Sequence, residues 1–303
     1  MVRGLHPAVP RGEPVAGLAL VHGRGEPLVP RLRGAPRAVP ALAPRRRVGA
    51  ALGAARARAA RGVARLPAGR RRARGARVTG PAVAIMAKAP APGAVKTRLC
   101  PPLAPAQAAA LAHAFLLDKI GQVRTLRGAR PVVAFAPADA AATFRALAPD
   151  FGLLAQRGPD LGARLAAVLG DLLAGGHAGA IAVDGDTPSL PTAFVQAAVG
   201  RLADPTVDVV LGPSDDGGYY LIGMKRVHGA LFEAMPWSTP RVLAETERRA
   251  RAAGLAVARL PAWFDVDTAE DLERLRASLA RGEGAPAPAT RALLEAWRAA
   301  APA

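Results

Sequence analysis

Val183-Asp184-Gly185-Asp186-Thr187-Pro188 sets two carboxylates one residue apart at the end of a short apolar run, Ala180 to Val183. Carboxylate oxygens at this spacing suit Mg²⁺ or Mn²⁺, hard cations that retain waters and share their coordination with substrate phosphates. A cation held there would neutralise charge on a departing diphosphate. Asp184 and Asp186 are therefore candidate metal ligands, and Asp186 a candidate catalytic residue. The same residues would equally serve as an Asx-type turn whose side chains accept from nearby amides.

Three further segments carry comparable chemistry. Ala89-Pro90-Ala91-Pro92-Gly93-Ala94-Val95-Lys96-Thr97-Arg98-Leu99 follows one apolar run and precedes a helical pattern. Gly93 lets backbone amides approach a phosphate, and Lys96 and Arg98 supply charge. A P-loop is excluded, because its pattern requires Gly where Val95 stands. The alternative is a Pro-stiffened connection with solvated basic side chains. Gly212-Pro213-Ser214-Asp215-Asp216-Gly217-Gly218-Tyr219-Tyr220 pairs glycines with acids. Its glycines permit close approach to a ligand, and its acids could accept from sugar hydroxyls or assist proton transfer. Asp-Gly is also a hairpin signal. In Trp263-Phe264-Asp265-Val266-Asp267-Thr268, Asp267 is either a helix cap or a further metal or water ligand.

Other chemistries lack support. His113, His177 and His228 fall in separate segments, and His6 and His22 lie near the start, so no zinc site or His-based triad is indicated. The one cysteine, Cys100, has no His partner in sequence and reads as a small apolar side chain. A lone thiol excludes a disulfide framework and fits a reducing, cytoplasmic compartment.

The elements that position these segments begin near Pro81. Short Val/Ile-rich runs alternate with longer Ala/Leu/Arg stretches at helical spacing, the pattern of a mostly parallel sheet with covering helices. Strands are expected at Ala82 to Met86, Val132 to Ala136, Ala180 to Val183, Val207 to Leu211 and Ala256 to Leu260, with an alternating segment at Tyr219 to Met224. Helices are expected at Pro105 to Leu126, near Asp139 to Leu147, and at Leu161 to Leu173, Thr192 to Leu202, Pro240 to Ala253 and Thr268 to Ala280. Either Asp267 or Thr268 caps the last of these. The predicted domains are a disordered extension over 1–80, one α/β domain over 81–281, and a linker with a short helix over 282–303. Leu293, Leu294 and Trp297 lie on one side of that final piece, which is expected to pack back onto the domain.

The net charge of +18 belongs to the N-terminal stretch. Residues 1–80 hold 18 Arg and 2 Glu, whereas the other 223 residues hold 23 basic and 21 acidic groups. A uniformly basic groove along a nucleic-acid backbone is thereby excluded. With little apolar bulk, residues 1–80 cannot offset the entropy of ordering and are expected to be disordered. All four dominant residues, Arg, Ala, Gly and Pro, have codons built from G and C, so a start assigned too far upstream would also produce this composition. Runs such as Arg45-Arg46-Arg47 and Arg70-Arg71-Arg72 could bind RNA or anionic lipid, with a solvated or spurious charge run as the plainer reading. No apolar run approaches the roughly 20 residues of a membrane helix, and Val15 to Val21 is at most a poor signal-peptide core.

Five ordered blocks resemble one family, the GT-A-type nucleotide-diphospho-sugar transferases grouped as domain of unknown function 2064, including arsenosugar biosynthesis glycosyltransferases. They are A-K-A-P-x-P-G-x-V-K-T-R-L at Ala87 to Leu99, D-x-x-x-L-P at Asp186 to Pro191, G-P-x-x-D-G-G-Y-Y-L at Gly212 to Leu221, W-S-T at Trp237 to Thr239, and D-V-D-T-x-E-D-L at Asp265 to Leu272. The resemblance covers about residues 82–279 and implies a GT-A, Rossmann-like, mostly parallel sheet with helices on both faces. It implies that Ala87, Lys88, Gly93, Lys96 and Arg98 contact nucleotide and phosphates, and that Asp186 is the principal metal ligand, with Asp184 and Asp267 beside it. Asp216, as a second catalytic acid, would line the sugar or acceptor side with Gly217, Gly218, Tyr219, Trp237, Ser238 and Thr239. Where relatives read S-D-C-P this chain has Gly185-Asp186-Thr187-Pro188, and the additional Asp184 restores a D-x-D pattern. The implied activity is transfer of a sugar from a nucleotide-diphospho-sugar to a small acceptor, using Mg²⁺ or Mn²⁺. The alternative is nucleotidyl transfer from an NTP to a phosphorylated small molecule, releasing pyrophosphate. Neither involves a specific nucleic acid or a membrane. Oligomeric state, donor, acceptor and stereochemistry are not legible.

Overall fold

The structure, a computed structural model, describes residues 80–300. The expected disordered extension, its Arg runs, His6 and His22 lie outside the described residues, apart from Gly80. Seven strands form: β1 (Ala82–Lys88), β2 (Arg130–Ala136), β3 (Gly152–Ala155), β4 (Ala180–Val183), β5 (Val209–Pro213), β6 (Tyr219–Met224) and β7 (Val257–Arg259). They build one sheet in the order β3-β2-β1-β4-β6-β5-β7. Every pair is parallel except those of β6, which runs antiparallel to both β4 and β5. The loops leaving β1, β4 and β5 therefore open at one edge of the sheet, the carboxyl end where α/β folds form their ligand crevice.

The helices are α1 (Pro105–Arg124), α2 (Ala141–Leu147), α3 (Leu161–Ala174), α4 (Thr192–Ala203), α5 (Val242–Ala252), α6 (Ala269–Ala280) and α7 (Pro288–Ala300). Alternate strand residues point to opposite faces. Val83, Ile85 and Ala87 share one core with Leu116 and Ile120 of α1 and Val195 and Leu202 of α4. Ala82 and Ala84 share another with Leu165 and Leu169 of α3 and Leu243 of α5. Burial on both faces requires an apolar residue at every position, which is why β4 is the uninterrupted run Ala-Ile-Ala-Val. The result is the expected Rossmann-like α/β fold. Among the described residues no helix is long and apolar enough to cross a membrane.

Several boundaries differ from the sequence-based expectation. β3 has no forerunner in it: four residues beginning with Gly152, at the sheet edge and mostly half-buried, leave too weak an apolar signal. β5 begins at Val209 because the Val207 amide is spent on the Asp204 carbonyl, closing the turn after α4. α5 begins at Val242, since residues 237–241 form a turn that lines the cleft. α1 stops at Arg124, two residues early, where Thr125 folds back to accept no further turn and donates its Oγ1 to Gln122.

The C-terminal helix docks on α1. Asp118 accepts from the Ala289 amide at 2.8 Å, the Thr290 amide at 2.9 Å and Thr290 Oγ1 at 2.6 Å, capping α7 from a neighbouring helix. Leu294 joins Leu111, Phe115, Leu275 and Leu279 in a third core, with Leu293 and Trp297 packed against it.

A second tether holds α5 to the segment leading into the site. Glu245 pairs with Arg248 at 2.8 Å and Arg249 at 2.6 Å, and Arg249 also donates to the carbonyls of Ala230, Glu233 and Ala234. The two guanidiniums hold the Glu245 carboxyl down to about 2, against an ordinary 4.5. A depressed carboxylate stabilises the folded chain above its unfolded value, and that contribution is lost as pH falls through the folded one. Glu245→Gln is therefore expected to melt slightly below wild type above pH 4.5, with the gap closing towards pH 2. Paired melting curves across that range check it.

Candidate active site

The site is organised around Lys96, which follows the loop leaving β1. Lys96 adopts left-handed backbone geometry, φ 48°, at the start of the tight turn Thr97–Leu99. For a residue with a long side chain this costs about 1–3 kcal/mol. The turn sends the side chain inward, where it is 4% exposed, instead of into solvent. Its Nζ meets Asp186 Oδ1 at 2.6 Å, Asp267 Oδ1 at 2.9 Å and the Val266 carbonyl at 2.7 Å, and lies 5.7 Å from the Phe115 ring centroid. Burial disfavours the ammonium, but Asp186 and Asp267 outweigh it and raise the Lys96 pKa. Two segments 90 and 171 residues along the chain thus converge on one cation. Arg98 extends the pair from the open side, 3.6 Å from Asp267 Oδ2, and Lys88 ties the loop together by donating to the Ala94 carbonyl at 2.6 Å.

Asp267 is available for this role because capping falls to its neighbour. Thr268 Oγ1 accepts from the Asp271 amide at 3.2 Å, while the Asp271 carboxylate accepts from the Thr268 and Asp267 amides at 2.9 and 3.1 Å, a reciprocal capping box. The Asp267 side chain then points at Lys96 and Arg98.

Asp184 and Asp186 leave β4 in different directions. Asp186 is half exposed beside Lys96, whereas Asp184 turns inward, its Oδ1 accepting from Thr187 Oγ1 at 2.5 Å. No backbone amide among the described residues donates to either carboxylate, so the Asx-turn alternative does not describe this segment. Beneath Asp184 lies a fully buried lysine. Lys119 Nζ donates to Thr187 Oγ1 at 2.9 Å, the Thr187 carbonyl at 2.8 Å and Gln122 Oε1 at 3.0 Å. Burial lowers the Lys119 pKa against the pull of Asp184, and burial raises that of Asp184 against the pull of Lys119.

The third loop is a hairpin turn and part of the site at once. It joins antiparallel β5 and β6, with Ser214 N donating to the Gly218 carbonyl at 3.0 Å and Asp216 Oδ1 accepting from the Gly218 amide at 2.8 Å. Asp215 pairs outward with Arg274 at 2.6 Å, leaving Asp216 facing the cleft. Ser214 Oγ donates to Asp265 Oδ1 at 2.9 Å, and burial, then the neighbouring Asp216, raises the Asp265 pKa. Gly217 adopts φ +88°, and a Cβ there would lie 2.2 Å from the Pro240 carbonyl oxygen. Its own carbonyl accepts from the Leu243 amide at 2.9 Å, so it locks this loop onto the turn carrying Trp237, Ser238 and Thr239. Gly217→Ala is expected to cost more than about 1 kcal/mol, because neither the dihedral nor the backbone neighbour can yield. Denaturant unfolding and near-ultraviolet dichroism of the edge-on Tyr219–Trp237 pair, centroids 6.4 Å apart, read both effects.

These loops enclose two adjoining chambers. The first, about 280 Å³, is bounded by Ala87, Lys88, Ala94, Val95, Lys96, Arg98, Asp186 and Asp267. The second, about 420 Å³, is bounded by Asp184, Asp216, Gly218, Tyr219, Trp237, Ser238, Thr239 and Asp265. Arg98 and Asp267 line both. Gly93, at φ +73°, and Gly217 shape their loops and stand outside these linings. Sequence reasoning missed Lys119, which sits within a helix whose apolar spacing marks it only as covering structure. Asp265 was legible as an acid in its motif, but nothing along the chain marked it as facing Asp216.

Asp186 lines the first chamber, Asp184 the second and Asp267 both, and their carboxylate oxygens are of the donor type that a hard divalent ion takes. Among the described residues no three His, Cys, Asp or Glu side chains converge on a single point, and the Lys96 ammonium bridges Asp186 and Asp267. An ion bound here would therefore take one or two of these carboxylates and complete its shell with water and ligand oxygens.

Fold and cleft define a Rossmann-like α/β protein whose main cleft lies at the carboxyl ends of its parallel strands. The chain belongs to the family described as uncharacterized proteins conserved in bacteria (DUF2064), whose model matches residues 117–239. A protein of Desulfovibrio desulfuricans G20, described as a candidate nucleotide-diphospho-sugar transferase, is 31% identical over 72% of this chain and 97% of its own, with a TM-score of 0.64. Two others are more distant. CMP:2-keto-3-deoxy-manno-octonic acid synthetase complexed with CTP is 16% identical over 67% of this chain and 99% of its own, TM-score 0.45. A cytidylyltransferase from Leptospira borgpetersenii serovar Hardjo-bovis is 12% identical over 73% and 94%, TM-score 0.45. No curated protein matches the chain.

Proposed function

We propose that this protein is a metal-dependent glycosyltransferase that moves a sugar from a nucleotide-diphospho-sugar to a small acceptor. One observation carries the proposal: two chambers of opposite electrostatic character meet at Arg98 and Asp267. The first sets Lys88, Lys96 and Arg98 against Asp186 and Asp267, while the second sets Arg98 alone against Asp184, Asp216, Asp265 and Asp267. A cationic compartment suits a nucleoside diphosphate. An acidic compartment with Tyr219 and Trp237 suits hydroxyl-rich rings, which donate to carboxylates and stack on aromatic faces. The 31% identity to the candidate nucleotide-diphospho-sugar transferase supports the same reading.

Asp186, with Asp267 or Asp184 as a second ligand, would hold Mg²⁺ or Mn²⁺, which supplies charge neutralisation to the leaving diphosphate when bound. Lys96 and Arg98 stabilise charge that grows on the diphosphate in the transition state. Asp216, which lines the second chamber, would accept a proton from an acceptor hydroxyl. The second chamber's lining of four acids and one guanidinium favours a hydroxyl acceptor over a phosphorylated one, and this is the ground for preferring sugar transfer to nucleotidyl transfer. The test is incubation of the protein with Mn²⁺ and panels of sugar nucleotides and NTPs with candidate acceptors. Nucleoside diphosphate release from a sugar nucleotide is expected; release of pyrophosphate from an NTP instead would overturn the proposal.

A further inference from the structure

α1 reaches the site through two residues on one face, Lys119 and Gln122. Lys119 is 0% exposed, and its three acceptors account for all three ammonium hydrogens: Gln122 Oε1, Thr187 O and Thr187 Oγ1. An ammonium group has no lone pair, so Thr187 Oγ1 is forced to accept from it. The Thr187 hydroxyl keeps one hydrogen, which goes to Asp184 Oδ1 at 2.5 Å. Bond direction is thereby set along the whole chain, from Lys119 through Thr187 to Asp184. Gln122 is oriented by the same ammonium: its Oε1 accepts from Lys119, which leaves its Nε2 to donate to the Leu190 carbonyl. One helix face grips both ends of the segment that follows the D-x-D acids.

We propose that Lys119 is a positioning residue for the transfer reaction, acting through Thr187 to hold Asp184 with Oδ1 inward as an acceptor and the rest of the carboxylate toward the second chamber. The inference rests on the glycosyltransferase reading for its effect on rate, but not for its effect on geometry. A buried lysine serving only packing would need no directed path to a cleft-lining acid. Oδ2 takes no protein hydrogen bond among the described residues, and Asp184 lines the chamber, so the free oxygen is the one a ligand would meet.

Lys119→Met removes a buried charge and risks the fold, so Thr187→Val and Thr187→Ser carry the test. Valine keeps the shape of threonine without the hydroxyl; serine keeps the hydroxyl. Crystal structures of the ligand-free full-length proteins are expected to show Asp184 rotated in Thr187→Val and unmoved in Thr187→Ser, with Thr187→Ser melting close to wild type and Thr187→Val a few degrees lower, since valine leaves a buried Lys119 N–H and Asp184 Oδ1 without that partner. In the diphosphate-release assay, Thr187→Val is expected to lose about tenfold in kcat with donor KM changed less than about twofold, and Thr187→Ser to stay within about twofold of wild type. Asp184 unmoved in Thr187→Val, or rotated equally in both variants, would overturn the inference, as would an unchanged kcat in Thr187→Val. Failure of the functional reading is visible separately, as a wild-type protein that releases no diphosphate while the crystal comparison still reads the relay.

Discussion

Asp186→Asn is expected to lower sugar-nucleotide turnover by on the order of 10²–10³-fold, with the melting temperature close to wild type. The side chain is 50% exposed, so its amide replacement is solvated and leaves no buried polar group orphaned. Asparagine preserves shape but removes the charge that would hold a divalent ion. The same change frees Lys96 from its 2.6 Å partner, so affinity for a nucleoside diphosphate without metal is expected to hold or rise. Loss of rate with retained metal-free affinity separates a catalytic role from simple binding. Turnover within a few fold of wild type would remove Asp186 from the reacting centre.

Lys96→Met should produce the other large effect, and on stability as well as activity. Methionine matches the length of the stem but gives up charge-assisted contacts to Asp186, Asp267 and the Val266 carbonyl. A hydrogen bond to a charged group contributes about 1.5–3 kcal/mol, and here the two carboxylates recover part of this by hydration because they are 50% and 37% exposed. A net loss of about 1–3 kcal/mol, a few degrees in melting temperature, is expected. Turnover should fall by on the order of 10²–10³-fold, with donor KM rising too, because under the proposed function the ammonium would serve both bound diphosphate and developing charge. Arg98→Met provides the contrast. That side chain is 68% exposed and 3.6 Å from Asp267, so its loss should cost roughly tenfold or less in rate and almost nothing in stability. Calorimetry together with steady-state kinetics on both variants distinguishes the inward cation from the outward one.

Local pattern made much of this molecule legible. β4 was readable to the residue, because a strand buried on both faces must be apolar throughout and two acids end it abruptly. β6 was readable as alternation, and the cap of α6 as Asp or Thr, although only the capping box decided for Thr268. β3 was invisible, since a four-residue edge strand needs little apolar surface. Asp184, Asp186 and Asp216 were legible because each sits just past a strand beside Gly, where the chain must turn, whereas Lys119 inside α1 carried no such mark.

Sequence alone determined the α/β class, the loops that line the cleft and the near neutrality of everything after the Arg-rich stretch, because these follow from periodicity and residue type over a few neighbours. Tertiary structure decided which charges meet. Lys96 with Asp267 spans 171 residues, Lys119 with Thr187 spans 68, and neither separation leaves a trace in local spacing. Whether Asp267 caps a helix or faces a cation, and whether a lysine in a covering helix is solvated or sunk beneath an acid, depends on strand order and helix packing, where Coulomb forces act through space rather than along the chain.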